Sequence, residues 1–344
     1  AQGAMLACKG RTLRCFPTIQ SILTMTQQKI NPAVAQDIGH VAYSIIVPVY
    51  NRPDEVDELL ESLTHQTMKG FEVIIVEDGS QRPCADVCKK YEGSLDLHYY
   101  AKPNSGPGQS RNYGVERAKG DYVIILDSDV IVPEEYIEAI DRELKNQPAD
   151  AFGGPDRAHP DFTPTQKAIS YSMTSFFTTG GIRGGKKKLD KFYPRSFNMG
   201  VRRDVYHKLG GFSKMRFGED IDFSIRIFKG GYSCRLFPDA WVYHKRRTDF
   251  RKFWRQVFNS GIARINLYKK YPDSLKLVHL LPAVFTVGVF FLLALFIAGP
   301  ILGHTVIKAY LDPDPPVGGL ISMAALLPLL LYSLLILIDS TISN

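Results

Sequence analysis

Tyr122-Val123-Ile124-Ile125-Leu126-Asp127-Ser128-Asp129 is the stretch that decides the fold. Five apolar or aromatic side chains follow one another without polar alternation, and the run stops at two carboxylates one residue apart. A short unbroken apolar run reads as a strand covered on both faces, the kind found in parallel sheets. The same figure recurs upstream. Val41–Val49 reads as a buried strand, after which Pro53 opens a helix with Val56, Leu59, Leu60 and Leu63 at helical spacing. Phe71–Val76 is a second strand, ending in Glu77-Asp78-Gly79-Ser80. Leu95–Ala101 is a third, followed by a Gly/Pro-rich turn and a helix to about Lys119. After Tyr122–Leu126, Pro133 opens the next helix. This alternation implies an α/β domain with a mainly parallel sheet and helices on both faces. Ligands of such sheets lie beyond the carboxyl ends of the strands, where this sequence repeatedly places polar residues.

Beyond Asp150 the character shifts. Residues 156–195 carry few strand signals and include Gly180-Gly181-Ile182-Arg183-Gly184-Gly185 and Lys186–Lys188, which predict a mobile loop over a pocket or a simple surface excursion. Phe197–Val201 resumes a strand, Gly218–Phe228 a short helix and Trp241–His244 a final strand. The catalytic domain is therefore expected over residues 41–248, preceded by a disordered tail over 1–40. The chain starts at Ala1, and Met25 is the expected native start. No apolar core with a cleavage site occurs in the tail, so no signal peptide is expected. Five cysteines without a second pair at ligand spacing fit free thiols in a reducing compartment.

The C-terminal third is of another kind. Phe253, Trp254, Val257, Phe258, Ile262 and Ile265 follow helical spacing while Arg251, Lys252, Arg255 and Arg264 fall mostly elsewhere. That pattern predicts a basic amphipathic helix over 249–276, lying at a membrane surface or packing on the catalytic domain. Leu280 to Gly303 and Val317 to Ile338 contain no charged residue. At about 1.5 Å per residue the first spans roughly 36 Å, against a hydrocarbon core of about 30 Å. Transmembrane helices are predicted over 277–303 and 317–338. The net charge of +7 is concentrated: ten Lys/Arg lie between Lys245 and Lys276, whereas His304–Pro316 has only Lys308. By the positive-inside rule the catalytic domain is expected on the cytoplasmic face of the cell inner membrane. Basic residues beside a span meet anionic lipid, so membrane lipid and not nucleic acid is the expected partner.

Two carboxylates at a strand end suit a hard divalent cation, Mg²⁺ or Mn²⁺, and such a cation neutralises a diphosphate leaving group. Alone, Asp127-Ser128-Asp129 is a weak signal. Its neighbours make it specific. Ser44-Ile45-Ile46-Val47-Pro48-Val49-Tyr50-Asn51-Arg52, Val76-Glu77-Asp78-Gly79-Ser80, Asn104-Ser105-Gly106-Pro107-Gly108, Arg111-Asn112-Tyr113-Gly114 and Gly120-Asp121-Tyr122 precede it in order. Phe197-Asn198-Met199-Gly200, Gly210-Gly211-Phe212 and Gly218-Glu219-Asp220-Ile221-Asp222 follow. Over about residues 43–245 this series resembles the family-2 glycosyltransferases.

The resemblance implies a Rossmann-like nucleotide-diphospho-sugar transferase domain, the A-type glycosyltransferase fold, acting with inversion. It implies that Pro48 and Tyr50 border the base and that Asp78 hydrogen-bonds base or ribose. Arg111 would help hold the nucleotide, Asp127 would face ribose or metal, and Asp129 would bind the metal. His244 resembles a histidine that completes the metal site in some members. Asp220 would be the catalytic base, with Glu219 as the alternative. Glu77 stands where the family often has Asp. The expected reaction moves one sugar from a nucleotide-sugar, a UDP-sugar favoured, to a membrane-associated glycan or lipid-linked acceptor. A polyprenyl-phosphate acceptor is the alternative. A processive polysaccharide synthase would carry Gln-x-x-Arg-Trp and more spans, neither of which occurs here. An inactive scaffold has no need to keep Asp127, Asp129, Glu219 and Asp220 together.

Overall fold

The computed structural model describes residues 43–179, 192–245, 249–302 and 317–343. The tail over 1–40, the Gly/Lys-rich loop from Gly180 to Lys188 and the 303–316 connection lie outside the described residues.

The first four strands are β1 (Tyr43–Val49), β2 (Phe71–Asp78), β3 (Asp96–Lys102) and β4 (Tyr122–Leu126). Between them run α1 (Pro53–Thr64), α2 (Ala85–Tyr91) and α3 (Pro107–Val115). β1 pairs in parallel with β2 on one side and β4 on the other, and β3 pairs in parallel with β2. The chain thus turns outward in opposite directions from β1, and the β1/β4 boundary is the switch point where such sheets open a crevice. β1, β2 and β4 are apolar on both faces because both faces are covered, as their unbroken Ile and Val runs require. α3 lies close on β1 and β2 because Gly114 has no side chain. A Cβ there would stand 2.5 Å from Ile46 Cγ2.

The sheet continues beyond β4 through β8 (Asn198–Arg202), β6 (Ala151–Gly153) and β9 (Cys234–Leu236), giving the order β3-β2-β1-β4-β8-β6-β9. β8 is antiparallel to both β4 and β6. A second sheet of three short strands pairs β5 (Val130–Ile131) and β7 (Asp156–Arg157) with β10 (Val242–His244). Helices α4 (Tyr136–Asn146), α7 (Arg203–Lys208) and α8 (Glu219–Lys229) complete the domain.

Part of the segment read as a loop is helical. α5 (Pro164–Thr174) is followed by α6 (Phe176–Thr179). Thr163 accepts from the Gln166 backbone and Gln166 reaches back to the Thr163 backbone, a reciprocal cap that fixes the start of α5. Pro164 occupies the first turn, where its missing N–H is no loss.

α9 (Phe250–Lys270) lies within the segment 249–276 read as an amphipathic helix, and α10 (Leu281–Leu302) and α11 (Val317–Ser343) are two long apolar helices. Leu281–Ile301 and Gly319–Ile342 are long and apolar enough to cross a membrane. α10 and α11 pack on each other, and the Tyr171 hydroxyl and Ser175 Oγ donate to Asp339 Oδ2 at 2.6 and 2.7 Å. α5 and the residue after it therefore meet the end of α11, not its start.

Candidate active site

The strand ends of β1, β2 and β4 converge as the parallel pairing requires. Past β1, Asn51 takes a left-handed φ of 55°, which Asn tolerates better than most residues. Its Oδ1 accepts from Gln81 N and Arg82 N at 2.7 and 3.0 Å, tying the loop after β1 to the loop after β2. Pro48 is half-buried in β1 opposite Val76, and Tyr50 stands exposed just beyond. Asp78, at the end of β2, is buried and accepts from Ser105 N and Gly106 N, each at 2.9 Å, and from Lys102. Burial alone would raise its carboxyl. The Lys102 ammonium and those backbone donors outweigh it and hold the group below the ordinary range. Glu77, the mild departure from the family pattern, is buried and used internally, accepting from Cys84 N at 2.7 Å.

At the end of β4 the chain turns through Ser128 into β5, and antiparallel pairing sets His244 opposite Val130. The Lys245 N–H donates to the Asp129 carbonyl at 3.0 Å, closing that turn. Asp127, Asp129 and His244 each bring a potential ligand atom within 4.8 Å of the others. His244 Nε2 lies 3.4 Å from Asp129 Oδ1, and the imidazole stacks on Phe197 with ring centroids 4.9 Å apart. His244 Nδ1 is buried without a hydrogen-bond partner. Arg52 pairs with Asp129 Oδ2. Against the cost of burial, His244 and Arg52 hold the Asp129 carboxyl far below the usual range. Two carboxylates and an imidazole at this spacing fit a divalent cation, with an ionised ligand already in place.

Arg111 joins this cluster to the opposite wall. Its Nη2 donates to Asp127 Oδ1 at 2.8 Å and its Nη1 to Glu219 Oε1 at 3.1 Å, with the guanidinium 5.2 Å from the Phe212 ring centroid. Burial pushes the Glu219 carboxyl above its ordinary value; Arg111 opposes the rise and Asp220 adds to it. Asp220 has a different partner. Arg195 Nε donates to its Oδ2 at 2.6 Å and Ile221 N to its Oδ1 at 2.8 Å. Burial acts to raise this carboxyl too, but Arg195 prevails and it stays below its ordinary value. Asp222, two residues on and so turned to another face of α8, is fully buried and structural. It accepts from Lys270 Nζ at 2.6 Å, Tyr271 Oη at 3.0 Å and Arg226 Nε at 3.0 Å, which fastens α9 to α8.

The structure thus brings Asp127, Asp129, His244, Arg111, Glu219 and Asp220 into one linked set and places Pro48, Tyr50 and Asp78 at the neighbouring strand ends. Sequence reasoning gave no role to Arg52, Lys102 or Arg195. Only Arg52 had a signal, as the last residue of the opening motif. Gly154 has a packing reason: a Cβ there would stand 1.6 Å from the Ala240 carbonyl oxygen. Asn198 Nδ2 donates to that same oxygen at 2.7 Å, and Tyr136 Oη donates to Asn198 Oδ1 at 2.6 Å.

Residues 44–210 match the profile of the family described as Glycosyl transferase family 2. An uncharacterized glycosyltransferase of Rickettsia felis is 37% identical over 111 residues, covering 31% of this chain and 18% of the relative. The chain therefore spans less than a fifth of that relative's length. The glycosyltransferase AglE of Haloferax volcanii is 25% identical over 250 residues, 71% of this chain and 80% of the relative. Among solved structures, the mannosyltransferase PcManGT from Pyrobaculum calidifontis, in complex with GDP-Man and Mn²⁺, superposes with a TM-score of 0.56. Identity is 18%, with 90% of this chain and 88% of that one covered, a likeness of fold. From β1 to the glycine turn after α7, the chain carries a glycosyl transferase family 2 domain.

Proposed function

We propose that this protein transfers one sugar, with inversion, from a nucleotide-sugar to a membrane-associated glycan or lipid-linked acceptor, and that a divalent cation, Mg²⁺ or Mn²⁺, is required. The observation that carries this reading is the Asp127, Asp129 and His244 cluster, linked through Arg111 to Glu219 and so to Asp220. Pro48, Tyr50 and Asp78 line the approach for the nucleotide, with a UDP-sugar favoured. Asp129 and His244 hold the cation, and Asp127 faces ribose or cation. The cation supplies Lewis-acid neutralisation of the diphosphate as it leaves.

The chain's own residues do the rest. Inversion is a single in-line displacement: the acceptor oxygen bonds to the anomeric carbon as the bond to the diphosphate oxygen breaks. The acceptor proton needs a carboxylate on the face away from the diphosphate. Glu219 shares Arg111 with Asp127 and is committed to the donor side. Asp220 is ionised, is turned to Arg195 instead, and takes the proton once the acceptor displaces that contact. Arg111 keeps Asp127 and Glu219 in register, and its buried charge faces the phosphates.

The C-terminal helices anchor the enzyme in the inner membrane, with the catalytic domain and both chain ends cytoplasmic. α9 lies in the interface: Phe250, Trp254, Val257 and Phe258 are exposed along it, beside Arg251, Lys252 and Arg255. Docking of Tyr171 and Ser175 against Asp339 supports this hairpin, since it keeps the far end of α11 on the catalytic domain's side.

The test is a donor screen on the full chain in lipid nanodiscs, measuring nucleoside-diphosphate release from UDP-, GDP- and dTDP-sugars with Mg²⁺ or Mn²⁺. GDP-mannose and Mn²⁺ are included because the Pyrobaculum neighbour was solved with them. One donor should give metal-dependent release that rises with membrane extract. No release from any donor would overturn the reading.

A further inference from the structure

We propose a second cation site, taking Zn²⁺ through Glu72, Asp96 and His98, at the end of the sheet opposite the active-site crevice. Glu72 is in β2 and its register partner in β3 is Asp96, with His98 two residues further along β3. Side chains two apart on a strand share a face, so all three project from the same side of the sheet. Six residues of β2 separate Glu72 from Asp78, roughly 20 Å at about 3.3 Å per residue, so this cluster is remote from Asp127 and Asp129.

The carboxylate of Glu72 is held as a second shell would hold a ligand. Its Oε1 accepts from Ser44 Oγ and from Lys119 N, each at 2.6 Å, and Gly120 N in turn donates to Ser44 Oγ at 2.8 Å. Those contacts fix the side chain and leave Oε2 pointing at the imidazole. Glu72 is only 5% exposed, yet Oε2 has no hydrogen-bond partner, and neither has the buried Nε2 of His98. Two buried polar atoms facing each other without a bond point to a third body between them.

The spacing fits an ion. His98 Nε2 lies 3.5 Å from Glu72 Oε2 and 3.2 Å from Asp96 Oδ1, and the three ligand atoms lie within 4.8 Å of one another. Ligand atoms about 2.0–2.1 Å from one tetrahedral ion are roughly 3.3–3.4 Å apart. Two carboxylates, an imidazole and one open position at this spacing suit a small tetrahedral ion such as Zn²⁺. Asp96 is exposed, giving the ion a way in and leaving a fourth position to water. Bound there, Zn²⁺ would staple edge strand β3 to β2 and, through Ser44 and Lys119, to the turn before β4.

The test uses the full chain in nanodiscs, dialysed against Zn²⁺ and analysed for bound metal, beside His98→Ala, Asp96→Asn and Asp129→Ala. His98→Ala and Asp96→Asn should each bind one Zn²⁺ fewer than the parent, and Asp129→Ala should keep the site. Co²⁺ should give the strong visible absorption of a tetrahedral site in the parent and in Asp129→Ala, and lose it in His98→Ala. Zn²⁺ at about a hundredfold over its Kd should raise the Tm of Asp129→Ala by roughly 5–10 °C. Asp96 is exposed and outside the core, so Asp96→Asn serves if His98→Ala does not fold. Equal Zn²⁺ binding by parent, His98→Ala and Asp96→Asn would mean a plain ion pair and overturn the proposal. Loss of metal in Asp129→Ala alone would put the bound Zn²⁺ in the active site and likewise overturn the proposal.

Discussion

Asp222 and Trp254 lie on consecutive helices and are treated in opposite ways. The carboxylate in α8 is fully buried among Lys270, Tyr271 and Arg226, whereas the indole in α9 is 66% exposed. The contrast runs through both regions. Up to β10 the protein hides charge: Asp78, Arg111, Asp129, Glu219 and Asp220 are all buried. From α9 onward it displays hydrocarbon: Phe258, Phe285, Phe290 and Leu334 are all exposed. In water each choice is costly, since buried charge must be paired and large exposed apolar surfaces associate. The first is answered by chemistry, because charge in a dry crevice acts strongly on a substrate. In the proposed function lipid answers the second, so that the catalytic domain and the apolar helices obey one rule in different solvents.

Breaking the charged half has the largest expected effect. Asp220→Asn should lower turnover by about 10²–10⁴-fold, the usual share of a positioned base, or roughly 3–5 kcal/mol of barrier. Donor affinity should stay within about threefold, because Asp220 meets the acceptor. Turnover and donor binding measured side by side on Asp220→Asn and Glu219→Gln test the assignment. Parent-like turnover in Asp220→Asn would remove it.

Much of this charged half was legible in the sequence. Apolar runs marked β1, β2 and β4 because strands covered on both faces need no alternation, and acids marked the carboxyl ends of β2 and β4. The ion partners were not legible. Arg195 reaches Asp220 from a loop whose path no periodicity records, and Lys102 meets Asp78 as its register partner across β2 and β3, a pairing no single strand displays. Of the three-stranded sheet only β10 was read; β5 and β7 escaped because strands of two residues are too short to show a period, although the sheet is what sets His244 beside Asp129. α5 was missed despite a readable cap, Thr163-Pro164-Thr165-Gln166, because the glycines and lysines that follow dominate that segment. The apolar half was the easier reading. Length and absence of charge suffice to find helices that can span a bilayer, whatever they pack against.

A smaller effect should come from Asp222, which is charged and buried but outside the chemistry. Asp222→Ala strands Arg226 and Lys270 and should cost about 3 kcal/mol, or roughly 6–12 °C in Tm. Burial alone would raise the Asp222 carboxyl, but Lys270, Ser213 and Arg226 hold it below its unfolded value. Its stabilisation is therefore complete above about pH 4 and is lost as pH falls toward the lower folded value. Thermal melts of parent and variant should converge on acidification. A constant gap down to pH 3 would contradict the linkage.

The smallest effect on folding is expected on the apolar side. Trp254→Ala with Phe258→Ala removes two exposed rings that stack on each other, and should change stability by less than about 0.5 kcal/mol. An α9 peptide carrying both changes should nevertheless bind anionic vesicles at least tenfold more weakly than the parent peptide. Equal binding would assign that face to protein packing instead of lipid.

The central claim is that the buried acids serve a cation on the donor diphosphate. The most direct measurement is nucleoside-diphosphate release by the full chain in nanodiscs, with the active donor, as Mn²⁺ is titrated into chelator-treated parent and Asp129→Ala. The account predicts no release without metal, saturable recovery in the parent, and a loss of at least about 10³-fold in Asp129→Ala at every Mn²⁺ concentration. Full release in excess chelator, or parent-like recovery in Asp129→Ala, would contradict it.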